Sequence, residues 1–181
     1  MTHLSRTLRR LAGETRGSEI AEAAAVLPIM FMMILGIFWF GQAFSIYGTI
    51  TRAAQDGARA AAAPYCVTCA SPNAPSQNAY NAVTTVLSAA HLNSSQIIPL
   101  ANWTPPAPLD CTTPTRAACT DIGNVCVQMN VKLSQTFGTG PAVCGVSVSF
   151  AYPYRFWLPF TTLNKQSIQL QAVARVRLEA Q

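Results

Sequence analysis

The chain has 181 residues, of which 50% are hydrophobic and only 10% charged, and its formal net charge is +5. Soluble globular chains carry about 25% charged residues, so the composition excludes a disordered chain and allows an anchor plus one domain of ordinary size. The charge excludes a nucleic-acid surface too, because Arg6, Arg9, Arg10 and Arg16 stand against Glu14 in the first seventeen residues while the rest carries eight bases and six acids.

In chain order, the basic leader gives way to a stretch without charge from Ala23 to Thr51. As a helix, its apolar core from Ala21 to Gly41 rises roughly 30 Å, the thickness of a bilayer's hydrocarbon core. Phe38, Trp39, Phe40, Phe44 and Tyr47 gather at one end, the placement of an interfacial aromatic belt. Pro28 falls near the start, where membrane helices accept it. Four arginines before the span and only Arg52 and Arg59 soon after it predict a cytoplasmic N-terminus. A secretory signal is the competing reading. Its apolar region is about 7–15 residues, shorter than this run, and the alanines at 60–63 are a distant cleavage site.

Glu22 stands at the mouth of the span. A charged side chain costs about 2.5–3.5 kcal/mol at the bilayer centre and less near an interface, where a helix N-terminus also favours negative charge. The string Arg16-Gly17-Ser18-Glu19-Ile20-Ala21-Glu22 sets a basic leader and a glycine five residues before that glutamate. It resembles the processing site of type IV pilins and pseudopilins. The resemblance implies a cut between Gly17 and Ser18 by a membrane-embedded prepilin peptidase. It also implies that Glu22, as fifth residue of the mature chain, pairs with the N-terminal amine of a neighbouring subunit. A charge in a low-dielectric bundle needs such a partner, and glycine lets an extended backbone enter a narrow protease cleft.

The longer pattern, Gly17 to Pro28, the apolar run to Gly41 and then Arg52-Ala-Ala-Gln-Asp-Gly-Ala-Arg59, is similar to the TadE-like family. These are pseudopilins or minor pilins of the tight-adherence (Flp) pilus system. The likeness covers residues 16–63 and, more loosely, Arg175 to Glu179; Ala23 departs from it, standing where the family has Phe. It implies a bacterial inner-membrane subunit with a periplasmic C-terminal domain, and the prepilin peptidase, other pilin or pseudopilin subunits and secretion-platform proteins as partners.

Beyond the span, Ser45 to Ala63 continues the helix, with Ile46, Ile50, Ala53, Ala54, Gly57, Ala58 and Ala61 on one face. Thr49, Arg52, Asp56, Arg59 and Ala60 form the other, Arg52 and Asp56 are spaced as a helical pair, and Pro64 ends the helix. Cys66 to Ser76 reads as a connector. Gln77 to Leu92 reads as a second helix with Ala79, Val83, Val86, Leu87 and Ala90 inward, and His91 as a surface residue at its end. Residues 99–124 are rich in Pro, Thr, Asp and Cys and predict an irregular region, with Ile97–Trp103 as a short edge strand. Alternation predicts strands at Val125–Leu133, Val143–Pro153 and Ser167–Leu178. The Pro-rich stretch Tyr152–Phe160 reads as a core-capping loop.

Cys66, Cys69, Cys111, Cys119, Cys126 and Cys144 all lie beyond the span, an even count that predicts up to three disulfides of open connectivity. Cys66-Val-Thr-Cys69 lacks the second ligand pair that a zinc site needs and follows a helix, whereas a redox motif opens one. Two histidines and few distal acids, without a nucleophile elbow, phosphate loop or metalloprotease motif, give catalysis no support, and no cofactor is called for.

The whole predicts an α+β protein: residues 1–17 a basic leader removed on processing, 18–63 a transmembrane helix extended beyond the bilayer, and 64–181 a disulfide-containing extracytoplasmic domain. That domain holds a second helix and a three- to four-stranded antiparallel sheet. The reading is a non-enzymatic pilus-assembly subunit; the alternative is an uncleaved, single-pass binding or sensor domain.

Overall fold

The computed structural model describes residues 15–63, 74–113, 115–133, 143–155 and 167–178, with side chains from residue 20 onward. The chain divides into two units, Met1–Ala43 and Phe44–Gln181, and helix α1 (Thr15–Ala62) crosses the border between them. In the first unit the described part of α1 is exposed along nearly its whole length. Pro28 lies inside it, and the helix continues through that position.

In the second unit one core joins α1, helix α2 (Pro75–Ala89) and the inner face of a sheet. From α1 come Ile50, Ala53, Ala54, Ala58 and Ala61, each at most 2% exposed. Ala79, Val83 and Leu87 of α2 meet them. These residues recur at three and four, so each helix presents one apolar stripe. Small side chains let α1 and α2 approach closely, and at Gly57 a Cβ would stand 2.7 Å from Val83 Cγ2 and 3.3 Å from the Ala79 carbonyl.

Pro75 opens α2 at its first position, where a missing N–H costs nothing. The helix ends earlier than periodicity predicts. His91 takes a left-handed φ of 57°, its N–H donates to the Ser88 carbonyl, and Leu92 N–H donates to the Leu87 carbonyl. This double reverse bond is a Schellman motif, and it leaves Ala90 exposed rather than inward, while Val86 is half-buried.

The sheet has four antiparallel strands in the order β1 (Thr120–Ile122), β2 (Val125–Lys132), β3 (Cys144–Arg155) and β4 (Ser167–Arg177). β1 lies inside the region expected to be irregular. Gly123 and Asn124, at φ 57° and 68°, make the two-residue turn that joins β1 to β2, a geometry whose twist matches a hairpin's. The Asp121 carboxylate accepts from Asn124 N–H at 3.0 Å and fixes it. A register shift between Gln128 and Val131, with Asn130 at φ 55°, places a bulge in β2. β3 and β4 pair without interruption from Gly145↔Arg177 to Arg155↔Ser167.

Two expectations fail for backbone reasons. Ile97–Trp103 is not a strand: short 3-10 turns occupy Ser94–Gln96 and Leu100–Asn102, separated by Ile97, Ile98 and Pro99. Pro99 has no N–H and a fixed φ, so a ladder cannot run through it. Ile98 nevertheless donates to the Ala151 carbonyl at 2.8 Å, and Ile98 and Trp103 pack on Ala151 against the sheet's outer face. Tyr152 to Arg155 is likewise strand rather than loop. Leu178 N–H donates to Cys144 O, so by alternation the even-numbered groups of β3 face β4, and Pro153 directs its donorless nitrogen away. β2 has already ended on that side, where it pairs only as far as Ser149. Residues 156–160 lie outside the described residues.

Candidate functional site

The predicted processing residues Gly17 and Ser18 fall in the first turn of α1, and Glu22 follows about a turn later with its side chain exposed. Among the described residues no cation pairs with Glu22. The span that follows has an unusual surface. Ile29, Met30, Phe31, Met32, Met33, Ile34 and Leu35 are seven consecutive exposed apolar residues. Seven residues are about two full turns, so the exposed apolar surface encircles the helix instead of forming a stripe. Water is a poor solvent for such a cylinder; lipid or a ring of neighbouring helices is a good one. Phe38, Phe40, Phe44 and Tyr47 are exposed as well and continue the aromatic surface along the helix. The helix is long and apolar enough to serve as a single-pass membrane anchor.

In the second unit, a groove of about 380 Å³ lies between α1 and α2, lined by Thr49, Arg52, Asp56, Thr85, Val86, Ala89 and Ala90. Its hydroxyls are engaged: Thr49 Oγ1 donates to the Ser45 carbonyl at 2.9 Å and Thr85 Oγ1 to the Asn81 carbonyl at 2.7 Å. Asp56 pairs with Arg59 at 3.4 Å, three residues on, not with Arg52 as the four-residue spacing predicts. Both spacings are neighbours on a helix surface, so periodicity alone does not choose between them. No base and nucleophile converge there.

Among the described residues two ionisable groups are shifted, and both are structural. The Asp110 carboxyl is held below its ordinary range because Thr112 donates through its hydroxyl and its N–H, and Thr113 through its N–H. Burial pushes the Tyr152 phenol up while its hydroxyl donates to Gln96 Oε1 at 3.1 Å. Among the described residues no group of three His, Cys, Asp or Glu is placed to hold a metal ion.

The four described cysteines meet in pairs. Cys111 bonds Cys144 at the start of β3, and Cys119 bonds Cys126 on β2. Cys66 and Cys69 lie outside the described residues. The Cys119–Cys126 bond ties the preceding segment to β2 on the sheet's outer face, where Gln128 Nε2 also donates to the Pro106 and Ala117 carbonyls at 3.1 Å each. β3 is consequently buried on both faces, Ser147 and Ser149 included.

Helix α1 carries the one segment in which a likeness to known proteins is found. Residues 17–59 match the family model of the TadE-like proteins. The TadE-like segment starts at Gly17, the residue expected before the cut, and takes in Glu22, the whole apolar cylinder and the α1 stripe as far as Arg59. It stops short of α2 and the sheet, so the match describes the rod and not the domain built on it. No curated protein and no solved structure matches the chain. The TadE-like match suggests a part in tight-adherence pilus function.

Proposed function

We propose that this protein is a pseudopilin- or minor-pilin-like subunit of a tight-adherence pilus. In this reading the leader is cytoplasmic, the α1 cylinder lies in the bacterial inner membrane, and the second unit stands in the periplasm. A prepilin peptidase cuts between Gly17 and Ser18, and the new ammonium of one subunit meets Glu22 of another. The single observation that carries the reading is the apolar cylinder with a carboxylate at its start, within the TadE-like match. A helix of that surface is made to be surrounded, first by lipid and then by the helices of other subunits. The role is assembly, without a catalytic step, and secretion-platform proteins are its further partners.

The test is the mass of the mature chain extracted from the membrane. A chain beginning at Ser18, and an uncut precursor for Gly17→Leu, supports the reading. A wild-type chain that begins at Met1 or Thr2 leaves instead an uncleaved anchored binding or sensor domain. Glu22→Ala separates assembly from anchoring, because it should insert, fold and be cut normally yet lose its crosslinks to neighbouring subunits. A buried pair broken on one side costs about 3–5 kcal/mol, and one at the lipid–water interface nearer 1 kcal/mol. Normal piliation by that variant overturns the pairing role.

A further inference from the structure

The two edges of the sheet are finished differently. On the β1 side the edge strand has three residues, and beyond it the chain covers β2: Lys132 N–H donates to Leu109 O, and Asp110 bridges Val131. On the β4 side, eleven residues pair with β3 in unbroken register, without a bulge or a proline. The bond from Leu178 N–H to Cys144 O sets the alternation, so even-numbered residues of β4 turn their backbone groups to β3. The N–H and C=O of Gln169, Gln171, Val173, Arg175 and Arg177 therefore point outward. Among the described residues no strand pairs with them.

An edge of this length is ordinarily blunted by bulges, prolines or charge. Here only charge is present, and it is of one sign: Arg175 and Arg177, two residues apart on the outer face, with no carboxylate anywhere in Ser167–Arg177. The inner face of the same strand, Leu170, Ala172, Ala174 and Val176, belongs to the core or packs against it. We propose that the β4 edge is a docking site for an extended segment of another protein, which adds to the sheet as a fifth strand. The fitting segment alternates, with apolar residues on the inner face and carboxylates two apart opposite Arg175 and Arg177.

A second copy of this chain is the competing occupant, since Ile168-Gln-Leu-Gln-Ala-Val-Ala-Arg-Val-Arg-Leu178 is nearly symmetric about Val173. Antiparallel pairing there would set each arginine opposite a glutamine. That pairing leaves the arginines of both strands without a carboxylate, however, which favours a different partner that supplies one. The inference rests on the sheet edge alone and stands whether or not Gly17 is a processing site.

The experiment uses the full chain in detergent and two fluorescein-labelled synthetic decapeptides of alternating pattern, one with glutamates at two polar positions two residues apart and one with lysines there. Anisotropy should show saturable binding of the glutamate peptide and at least tenfold weaker binding of the lysine peptide. Gln171→Pro removes an outward N–H that β3 does not use, so it should weaken binding about tenfold at an unchanged melting temperature. Arg175→Glu with Arg177→Glu, on the exposed face, should exchange the preference between the peptides. The proposal is overturned by equal binding of both peptides, by full binding to folded Gln171→Pro, or by a preference that survives the arginine exchange. It is overturned equally if sedimentation shows a wild-type dimer that Gln171→Pro abolishes, since the occupant is then a second copy.

Discussion

The two halves of α1 reverse the usual relation between side-chain size and burial. Before Phe44 the helix carries Ile, Leu, Met and Phe, and these are exposed: Met32 by 74% and Ile37 by 71%. Beyond it the buried positions are one isoleucine, one glycine and a series of alanines. An apolar residue is therefore no guide to its own surroundings; what distinguishes the halves is the arrangement around the helix. Large side chains on every side suit a surrounding medium of hydrocarbon, whereas small ones on one stripe suit a second helix at close range. Removing a methyl group from the second half should be felt by the fold, and removing one from the first should not.

The sharpest contrast is Ile50→Ala against Ile37→Ala. Ile50 is wholly enclosed, so truncation should cost the second unit about 2–5 kcal/mol, read as a lower melting temperature in detergent. Ile37→Ala should leave that transition in place; an equal loss from both would erase the distinction. A smaller loss, about 1–3 kcal/mol, is expected from Gly57→Leu, whose Cβ alone meets Val83 Cγ2 at 2.7 Å. Its control is Gly36→Leu, where a Cβ meets nothing within 4 Å. Denaturant midpoints of the two variants provide the comparison.

Polar contacts of the second unit should matter far less. Asp56→Asn removes an exposed pair with Arg59 and should change stability by only a few tenths of a kcal/mol, at the edge of what a melting curve resolves. The Asp110 turn should respond locally and only to acid. Its folded carboxyl sits below the unfolded value, so the Thr112 and Thr113 contacts contribute fully above the ordinary carboxylate range and are lost as pH falls through the folded value. The protection of the Thr112 and Thr113 amides, taken relative to an unstructured chain at the same pH, should therefore fall as the solution is acidified through the folded value, without global unfolding; protection unchanged on acidification counts against this role.

The elements that periodicity announces are the ones the sequence discloses. The stripe from Ile50 to Ala61, the inward face of Ala79, Val83 and Leu87, and the alternation of β2, β3 and β4 all belong to repeats of 3.6 or two residues. What escapes is set by single residues. β1 is three residues long and begins after a cysteine in a Pro- and Thr-rich region, so only Gly123-Asn124 marks the hairpin. Ile97, Ile98 and Trp103 have the composition of a strand, but Pro99 stops the ladder. The cover on the sheet's outer face draws on Ile98, Trp103, Pro106 and Ala117, whose spacing has no period to read. At the start of α1, the spacing of Gly17 and Glu22 is short and local, and what it suggests about processing and assembly belongs to the proposal. The open edge of β4 is not legible, because a strand's place in a sheet depends on what pairs beside it.

The Cys111–Cys144 bond has a mechanical consequence for any assembly that pulls on this chain. It closes a stretch with a sequence separation of 33, and the Cys119–Cys126 bond lies inside that stretch. Tension applied between the anchor and the C-terminal strand passes through sulfur at this point and bypasses the intervening backbone. Fully drawn out, 33 residues reach about 110 Å, and that contour length is withheld from extension while the bond holds. Under load the domain is a short tether, and reduction turns it into a long one.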